Sequence, residues 1–596
     1  MIRRPLRPIA RVLKARETGI DPAMIEAEEK AARMRGQRNA ERRRAESRLV
    51  LLAMTFVLAF GAVGWKMTVL ASTDPVEPRN FVSTNQIVNQ RADIVDRNGE
   101  ILATNLITTS LFAHPQDMVD PRAAADGLAG IFDDVDAERL YRQFSGTRKF
   151  VWVRRKLSPE QRQAVYDLGE PGLQFGPREL RLYPNGNLAA HVLGGTAFGR
   201  EGVHAAEVIG TAGVELTFDK FLRDPAEEGA PLELSIDISV QAAMRRVLAG
   251  GMALFKAKGA AAVLMEVDTG QIVAMVSLPD FDPNHRPNPP ISGDPADSPL
   301  FSRAAQGKYE LGSTFKLFTA AIAMETGIAT PATMVNTAGP LRWGRFTIRD
   351  FHNYGSRLSL MDVIVKSSNI GSANLAKEFG AEVQQDFLRS LGFFDVLPIE
   401  MREAQRSKPL LPSRWSELSA MTISYGHGLA ATPLHLATAY ATITNGGLKV
   451  TPTLLRNAEL PTEEDRVLSA ETSAHLRNML RQVVVRGTAS LGGVEGYQVG
   501  GKTGTADKPN PQGGYYEDRV IATFASVFPT DDPQYVLIVT LDEPEETSGT
   551  ENRRTAGWTA VPVAAEIIRR IAPLMGMRPE WFDDEVNTSG LTLTRH

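Results

Sequence analysis

The 596-residue chain contains no cysteine. Disulfides, thiolate-bound metals and a cysteine nucleophile are therefore excluded. Any covalent catalysis must run through another side chain. The absence does not choose between a reducing and an oxidising compartment. Strong charge of one sign is missing too. The formal net charge is -4, so bulk electrostatics make no case for binding nucleic acid. There is no internal repeat of 20–50 residues. What is present is 43% apolar and 23% charged residues, the composition of a globular protein with a real core. The length calls for two or three domains.

The near-neutral balance hides an asymmetry. Residues 1–48 carry 14 Lys+Arg against 7 Asp+Glu, a net of +7, so the remainder sums to -11. This arm is Arg-rich and polar and reads as a mostly disordered cytoplasmic tail. It ends in Arg42, Arg43, Arg44 and Arg48. The next 17 residues, Leu49–Trp65, hold no charge. That is the short end for a membrane span, and the uncharged MTVLAST after Lys66 extends it. Basic residues stay on the cytoplasmic side, and Asp74 and Glu77 open the far side. The expected anchor covers 49–70, with everything after it in the periplasm. A cleaved signal peptide is the rival, but 48 residues are long for its basic region.

Beyond the anchor, RADIVDRNGEILATN (Arg91–Asn105) predicts two strands around an Asn98-Gly99 turn. A polar stretch, Arg223–Pro231, then leads to a strand at Leu232–Ile236. The expected boundary lies near 228, giving domains at 71–228 and 229–575 and a tail at 576–596. The second domain opens with a helix and a hairpin, AAAVLMEVDTGQIVAMVSLP. It becomes helix-rich to about 485 and returns to strands at GGKTGTAD, VIATFASVFP and YVLIVTLDEP before a last helix. Strands at both ends with helices between predict an α+β fold: one antiparallel sheet built from both ends, with helices packed on it.

Three short motifs carry chemistry. Ser313 and Lys316, in YELGSTFKLFT, stand three apart and share a face on a helix. A serine hydroxyl needs a base to take its proton. A lysine serves only if burial or other cations destabilise its ammonium. Leu311, Phe315, Leu317 and Phe318 supply an apolar setting. Alone, the pair equally fits a surface lysine near a capping serine. The second motif, KSSNIG, places Ser367, Ser368 and Asn369 where a helical pattern stops. A hydroxyl there can relay a proton and an amide can position a substrate; a polar loop reads the same way. The third, GGKTGTAD, puts Lys502 and Gly504 on one face of a strand, and Thr503 and Thr505 on the other. A ligand could approach the backbone at Gly504. An amine beside hydroxyls suits a carboxylate.

In this order the three are far more specific than any one. S-x-x-K followed by K-T-G is the signature of penicillin-binding proteins and serine β-lactamases. The chain resembles the class B penicillin-binding proteins over nearly all residues after 48. Arg91, Asp96-Arg97-Asn98-Gly99, Arg181-Leu-Tyr183-Pro184, His191-Val-Leu-Gly194 and Gly213-Val-Glu215 mark the elongated α+β pedestal, the dimerisation-type domain. YELGSTFKLFT, DFHNYG (Asp350–Gly355) and SYGHGLAATPLHLATAYATI look most like the division-specific septal transpeptidases (FtsI type) of Gram-negative bacteria. Two positions depart: proline is common where Leu311 stands, and asparagine where Ser302 stands. Neither is a reacting group.

The resemblance implies a serine β-lactamase-like transpeptidase domain, its antiparallel sheet flanked by helices on both sides. It implies a D,D-transpeptidase acting on peptidoglycan stem peptides and trapped by β-lactam antibiotics. Ser313 is then the nucleophile and Lys316 its base. Ser367 and Asn369 orient the lysine, substrate and leaving amine. Lys502 completes the catalytic set. Ser368, Thr503, Gly504 and Thr505 bind substrate. No metal or organic cofactor is implied. The implied partners are a septal glycan polymerase (FtsW type) and other divisome membrane proteins, with the chain anchored in the inner membrane at the septum. The elongation-specific class B transpeptidases are the alternative. A carboxypeptidase, a β-lactamase, or a non-enzymatic β-lactam sensor fits the anchor and pedestal, or the intact motifs, less well.

Overall fold

The computed structural model describes residues 11, 13–14, 17–19, 21–72, 91–201, 206–227, 229–510 and 512–580. Two units divide at Val88. In the first, residues Pro22–Ser72 form one 51-residue helix. Its segment Val50–Met67 is long and apolar enough to cross a membrane, and Leu51, Phe56, Leu58 and Trp65 are exposed along it. The expectation of a mostly disordered arm through residue 48 is corrected over 22–48. That stretch is rich in Ala, Glu, Arg and Met, all strong helix formers, and has no proline after Pro22. Residues 1–10 and the Asp74/Glu77 flank lie outside the described residues.

The second unit opens with a five-stranded sheet. Strands β1 (Ile94–Val95) and β2 (Ile101–Ala113) form the expected pair around Asn98-Gly99. Gly99, at φ +87°, makes the turn at no steric cost. β3 (Val151–Leu157) and β4 (Leu173–Leu182) both pair antiparallel with β2. Three short helices at 121–131, 137–144 and 159–167 cover this region, and Leu111, Leu128, Phe132 and Phe144 fill its own small core. A hairpin of β5 (Gly195–Glu201) and β6 (Ala206–Ala212) follows. β7 (Leu232–Glu233) runs parallel to β1 and is shorter than the predicted strand.

Three of the pedestal signature residues converge on the buried carboxylate of a fourth. Glu215 receives Arg91 Nε at 2.6 Å, Arg181 Nε at 2.7 Å and the Tyr183 hydroxyl at 3.2 Å. Arg91 also holds Asp219 at 2.7 Å. A charge this deeply buried is retained only when it is paired and hydrogen-bonded. Asp96 and Arg97 face the next region: Asp96 accepts from Ile238 N, and Arg97 pairs with Glu266 at 2.6 Å.

That region is built on helix Ile238–Leu254 and a second five-stranded sheet. Strands β8 (Gly259–Glu266) and β9 (Ile272–Leu278) form the predicted hairpin. A small lobe of β10 (Met334–Asn336), β11 (Leu341–Trp343), β12 (Phe346–Ile348) and β13 (Arg357–Ser359) interrupts the helical middle. β14 (Gly500–Pro509), β15 (Tyr515–Phe528) and β16 (Tyr535–Asp542) then return to the sheet. The order is β14-β15-β16-β8-β9, antiparallel throughout. One sheet from both ends of the domain is the architecture the strand pattern predicted. β9 is buried along its whole length and β8 up to its last residue, which requires cover on both faces. Helices Ile238–Leu254, Pro433–Thr444 and Ala560–Leu574 supply it. β14 is left as an edge strand. The chain stays attached past residue 576, since Glu580 N donates to Gly496 O.

Candidate active site

The serine of the first motif sits in a single 3-10 turn, Gly312–Phe315, which hands over directly to helix Lys316–Glu325. Glycine is required at 312 for two reasons. Its φ is +56°, and a Cβ there would stand 2.7 Å from the Thr505 carbonyl oxygen. The turn therefore lies flat against β14. Below it, Phe315, Phe318 and Phe393 pack ring to ring, and the Tyr440 hydroxyl donates to Thr314 O at 2.8 Å. The nucleophile candidate rests on a buried aromatic floor.

Lys316 is fully buried. Its ammonium nitrogen reaches Ser313 Oγ at 3.0 Å, Ser367 Oγ at 3.0 Å and Ser367 O at 2.6 Å. Burial, with Lys502 close by, holds this amine well below the ordinary lysine value, while Asp350 draws it partly back. Lys502 is also fully buried, and burial alone pushes it down to about 7. It donates to Ser367 Oγ at 2.9 Å and to Thr503 O at 3.1 Å. One hydroxyl, that of Ser367, thus stands between two amines. To put it there the backbone of Ser367 adopts φ +62°, a conformation that costs a non-glycine residue energy and gathers at functional sites.

The turn is held from outside by a residue that sequence reasoning left unassigned. Asp350 Oδ2 accepts from Ser368 Oγ at 2.6 Å, and Oδ1 accepts from Ile370 N at 3.0 Å. Asn369 Nδ2 donates to the neighbouring Arg349 carbonyl at 2.9 Å. Asp350 heads the DFHNYG segment, which lies 17 positions before Ser367. Nothing in spacing alone joins the two.

Of the expected site residues, Ser313, Lys316, Ser367 and Lys502 meet within hydrogen-bond distance, and Asn369 flanks them. Two others differ from expectation. Ser368 does not face a substrate. It is buried and caps helix Asn369–Ser390, accepting from Gly371 N while donating to Asp350. Gly504 is approached by the chain itself: a Cβ there would overlap the Leu311 carbonyl oxygen and meet Thr314. Its missing side chain lets the nucleophile turn seat on β14. Thr503 lies on the face opposite Lys502, as strand alternation predicts, and is buried against Thr488, with their hydroxyls 2.6 Å apart. Thr505 is half-buried and accepts from Ala556 N at 3.0 Å, leaving its own hydroxyl hydrogen to donate.

This is the equipment for serine acyl transfer: a nucleophile, an amine with its proton affinity suppressed, and a hydroxyl relay. Among the described residues no cluster of His, Asp or Glu could hold a metal ion.

Comparison with known proteins agrees. Residues 260–569 match the penicillin-binding protein transpeptidase domain, and residues 86–227 match the penicillin-binding protein dimerisation domain. The chain is 37% identical to the probable peptidoglycan D,D-transpeptidase FtsI of Caulobacter vibrioides, over 82% of each protein. It is 28% identical to the peptidoglycan D,D-transpeptidase FtsI of Escherichia coli K12, covering 89% of this chain and 91% of that one. Penicillin-binding protein 3 of Mycobacterium tuberculosis, solved with aztreonam, superposes with a TM-score of 0.62 at 25% identity, covering 83% of this chain and 97% of the other.

Proposed function

The chain belongs to the class B penicillin-binding proteins, and on that premise we propose that it is the D,D-transpeptidase that cross-links peptidoglycan stem peptides at the division septum. The observation that carries the chemistry is the position of Lys316 Nζ, 3.0 Å from Ser313 Oγ. Its suppressed basicity lets it exist as a free amine near neutral pH. Lys316 takes the Ser313 proton as Oγ attacks the penultimate carbonyl of a D-Ala-D-Ala end. The backbone N–H groups of Ser313 and of Thr505 on the edge strand β14 face the developing oxyanion; such donors are commonly worth about 10²–10³ in rate each. The C–N bond then breaks, and a proton passes through Ser367 to the departing D-alanine nitrogen. Lys502 and Thr505 hold the terminal carboxylate, and Asn369 orients the peptide. An amine from a second stem takes the acyl group and restores Ser313. A β-lactam enters the first half of this cycle and stays on the serine.

The helix Pro22–Ser72 anchors the chain in the inner membrane with its N-terminus in the cytoplasm and the second unit in the periplasm. The septal assignment is supported by the likeness to the FtsI proteins. Its partners are then a septal glycan polymerase and other divisome membrane proteins. Fluorescent penicillin should label the wild type and not Ser313→Ala, and depletion should give filaments with blocked constriction. An adduct on any other serine overturns the chemistry. Round, swollen cells on depletion overturn the septal role in favour of elongation.

A further inference from the structure

The lobe spanning residues 334–359, built from β10–β13 and β11–β12, is chemically one-sided. Arg342, Arg345, Arg349 and Arg357 are exposed on it, and Asp350 is its single carboxylate. That carboxylate is already engaged by Ser368 Oγ and Ile370 N. Lys366 and Lys377 add two exposed cations from the adjoining turn and helix. Among the described residues, none of these six has a carboxylate within ion-pair distance. Neighbouring surfaces differ: Arg486 pairs with Asp362 at 2.7 Å, and Arg389 with Asp386 at 2.6 Å. Here three of the six lie over rings instead. Lys377 is 5.4 Å from Trp343, Lys366 is 6.0 Å from Tyr354, and Arg345 is 5.2 Å from Phe346. A ring steadies a cation without occupying its N–H donors.

A cavity opens into this lobe, lined in part by Arg349, Phe351, His352, Tyr354 and Ile370. It adjoins the catalytic turn. Ile370 follows Asn369 directly, and the Asn369 side chain is bonded to the Arg349 carbonyl. An uncompensated cationic surface beside a cavity selects an anion.

We infer that this lobe binds the acceptor strand through the carboxylates of its stem peptide. The inference rests on the acyl-transfer reading above. By microscopic reversibility the attacking amine approaches the acyl carbon from where the D-alanine nitrogen left, beside Ser367. The N–C bond forms, the C–O bond to Ser313 breaks, and the amine proton returns to Ser313 Oγ. The departing D-alanine takes its carboxylate away from Lys502 and Thr505 on β14, and the acceptor amine enters the vacated place. The rest of the acceptor, with the carboxylates remote from the reacting amine, leaves the cleft past Ser367 and Asn369, and the lobe, tied to Asn369 through the Arg349 carbonyl, is the outer face of that wall.

The test uses the full chain in detergent with a thioester D-Ala donor. Two acceptors are compared: a stem-type peptide amine with free carboxylates, and the same peptide with its carboxylates amidated. The variants are Arg342→Gln/Arg345→Gln and, as a conservative control, Arg342→Lys/Arg345→Lys. The KM for the acidic acceptor should rise roughly tenfold in the Gln pair, the scale of one charge-assisted hydrogen bond. It should stay near wild type in the Lys pair. The amidated acceptor should not distinguish the three proteins, and penicillin acylation of Ser313 should be equal in all. An unchanged KM for the acidic acceptor, or an equal rise with the amidated one, overturns the inference. Failure of the wild type to acylate at Ser313 sinks the acyl-transfer reading instead, and separately.

Discussion

Lys502 is a residue whose presence should make the folded protein weaker near neutral pH. In the unfolded chain it titrates as an ordinary lysine near 10.5, and burial brings it to about 7 in the fold. The folded state thus binds fewer protons between those values, so stability rises as pH climbs through that window and is lowest at and below about 7. At about 1.4 kcal/mol per pKa unit, the burden is roughly 4 kcal/mol at pH 7 and roughly 1 kcal/mol at pH 10. Lys502→Met removes it. The substitution also removes the bonds to Ser367 Oγ and Thr503 O, about 1 kcal/mol each. The net expectation is a gain of roughly 2 kcal/mol at pH 7 and a loss of roughly 1 kcal/mol at pH 10, from the same two terms. Thermal unfolding of both proteins between pH 6 and pH 10 reads this directly. The variant should melt a few degrees higher near pH 7, the difference should shrink with rising pH, and its sign should reverse by about pH 10. Penicillin acylation should be lost throughout. A variant that melts lower at pH 7, or a difference flat across the range, would refute the reasoning, because Lys502 would then be an ordinary charged lysine in the fold.

Lys316→Arg should cut acylation by orders of magnitude and lower the melting point as well, since a guanidinium stays protonated at any working pH and fixes a bulkier charge in a fully buried site; near-wild-type acylation in stopped-flow assays would make the lysine structural. Gly504→Ala should push the Ser313 turn off β14, because its Cβ meets a carbonyl and not a movable side chain; acylation should fall about 100-fold, and normal acylation would sever that turn from the strand. Glu215→Gln should cost about 3–5 kcal/mol by stranding Arg91 and Arg181, seen in calorimetry, while the folded remainder still labels at Ser313. A reporter fused after residue 80 should be active only if it requires export; a cytoplasmic reporter active there would reverse the topology.

The sheet was legible because its strands are apolar runs bounded by turn residues, and their distribution at the two ends of the domain leaves one simple way to pair them. The meeting of Ser313, Lys316, Ser367 and Lys502 was legible from motif order. What failed depended on neighbours remote in sequence. Ser368 reads like Ser367 until Asp350 is placed beside it, and Gly504 reads as room for a ligand until Leu311 fills the room. The helix through 22–48 was a different kind of miss. Its composition favoured a helix, and its charge outweighed that signal in the reading.

One consequence of the sheet order concerns the chain during its synthesis. β8 pairs with β16 in a register that sets Glu266 against Tyr535, 269 positions apart. The hairpin β8–β9 therefore emerges early and waits, with an unpaired edge, for most of the domain to be made. Such distant pairing is slow, and the open edge is vulnerable while it lasts. The same delay governs reactivity. A nascent chain stopped after residue 490 already holds Ser313, Lys316 and Ser367, but it lacks Lys502 and the strand on which the serine's turn is seated. On the acyl-transfer reading, only a chain made past β14 presents an armed serine, so a copy stopped short of it has little to offer a β-lactam and cannot begin a cross-link it is unable to complete.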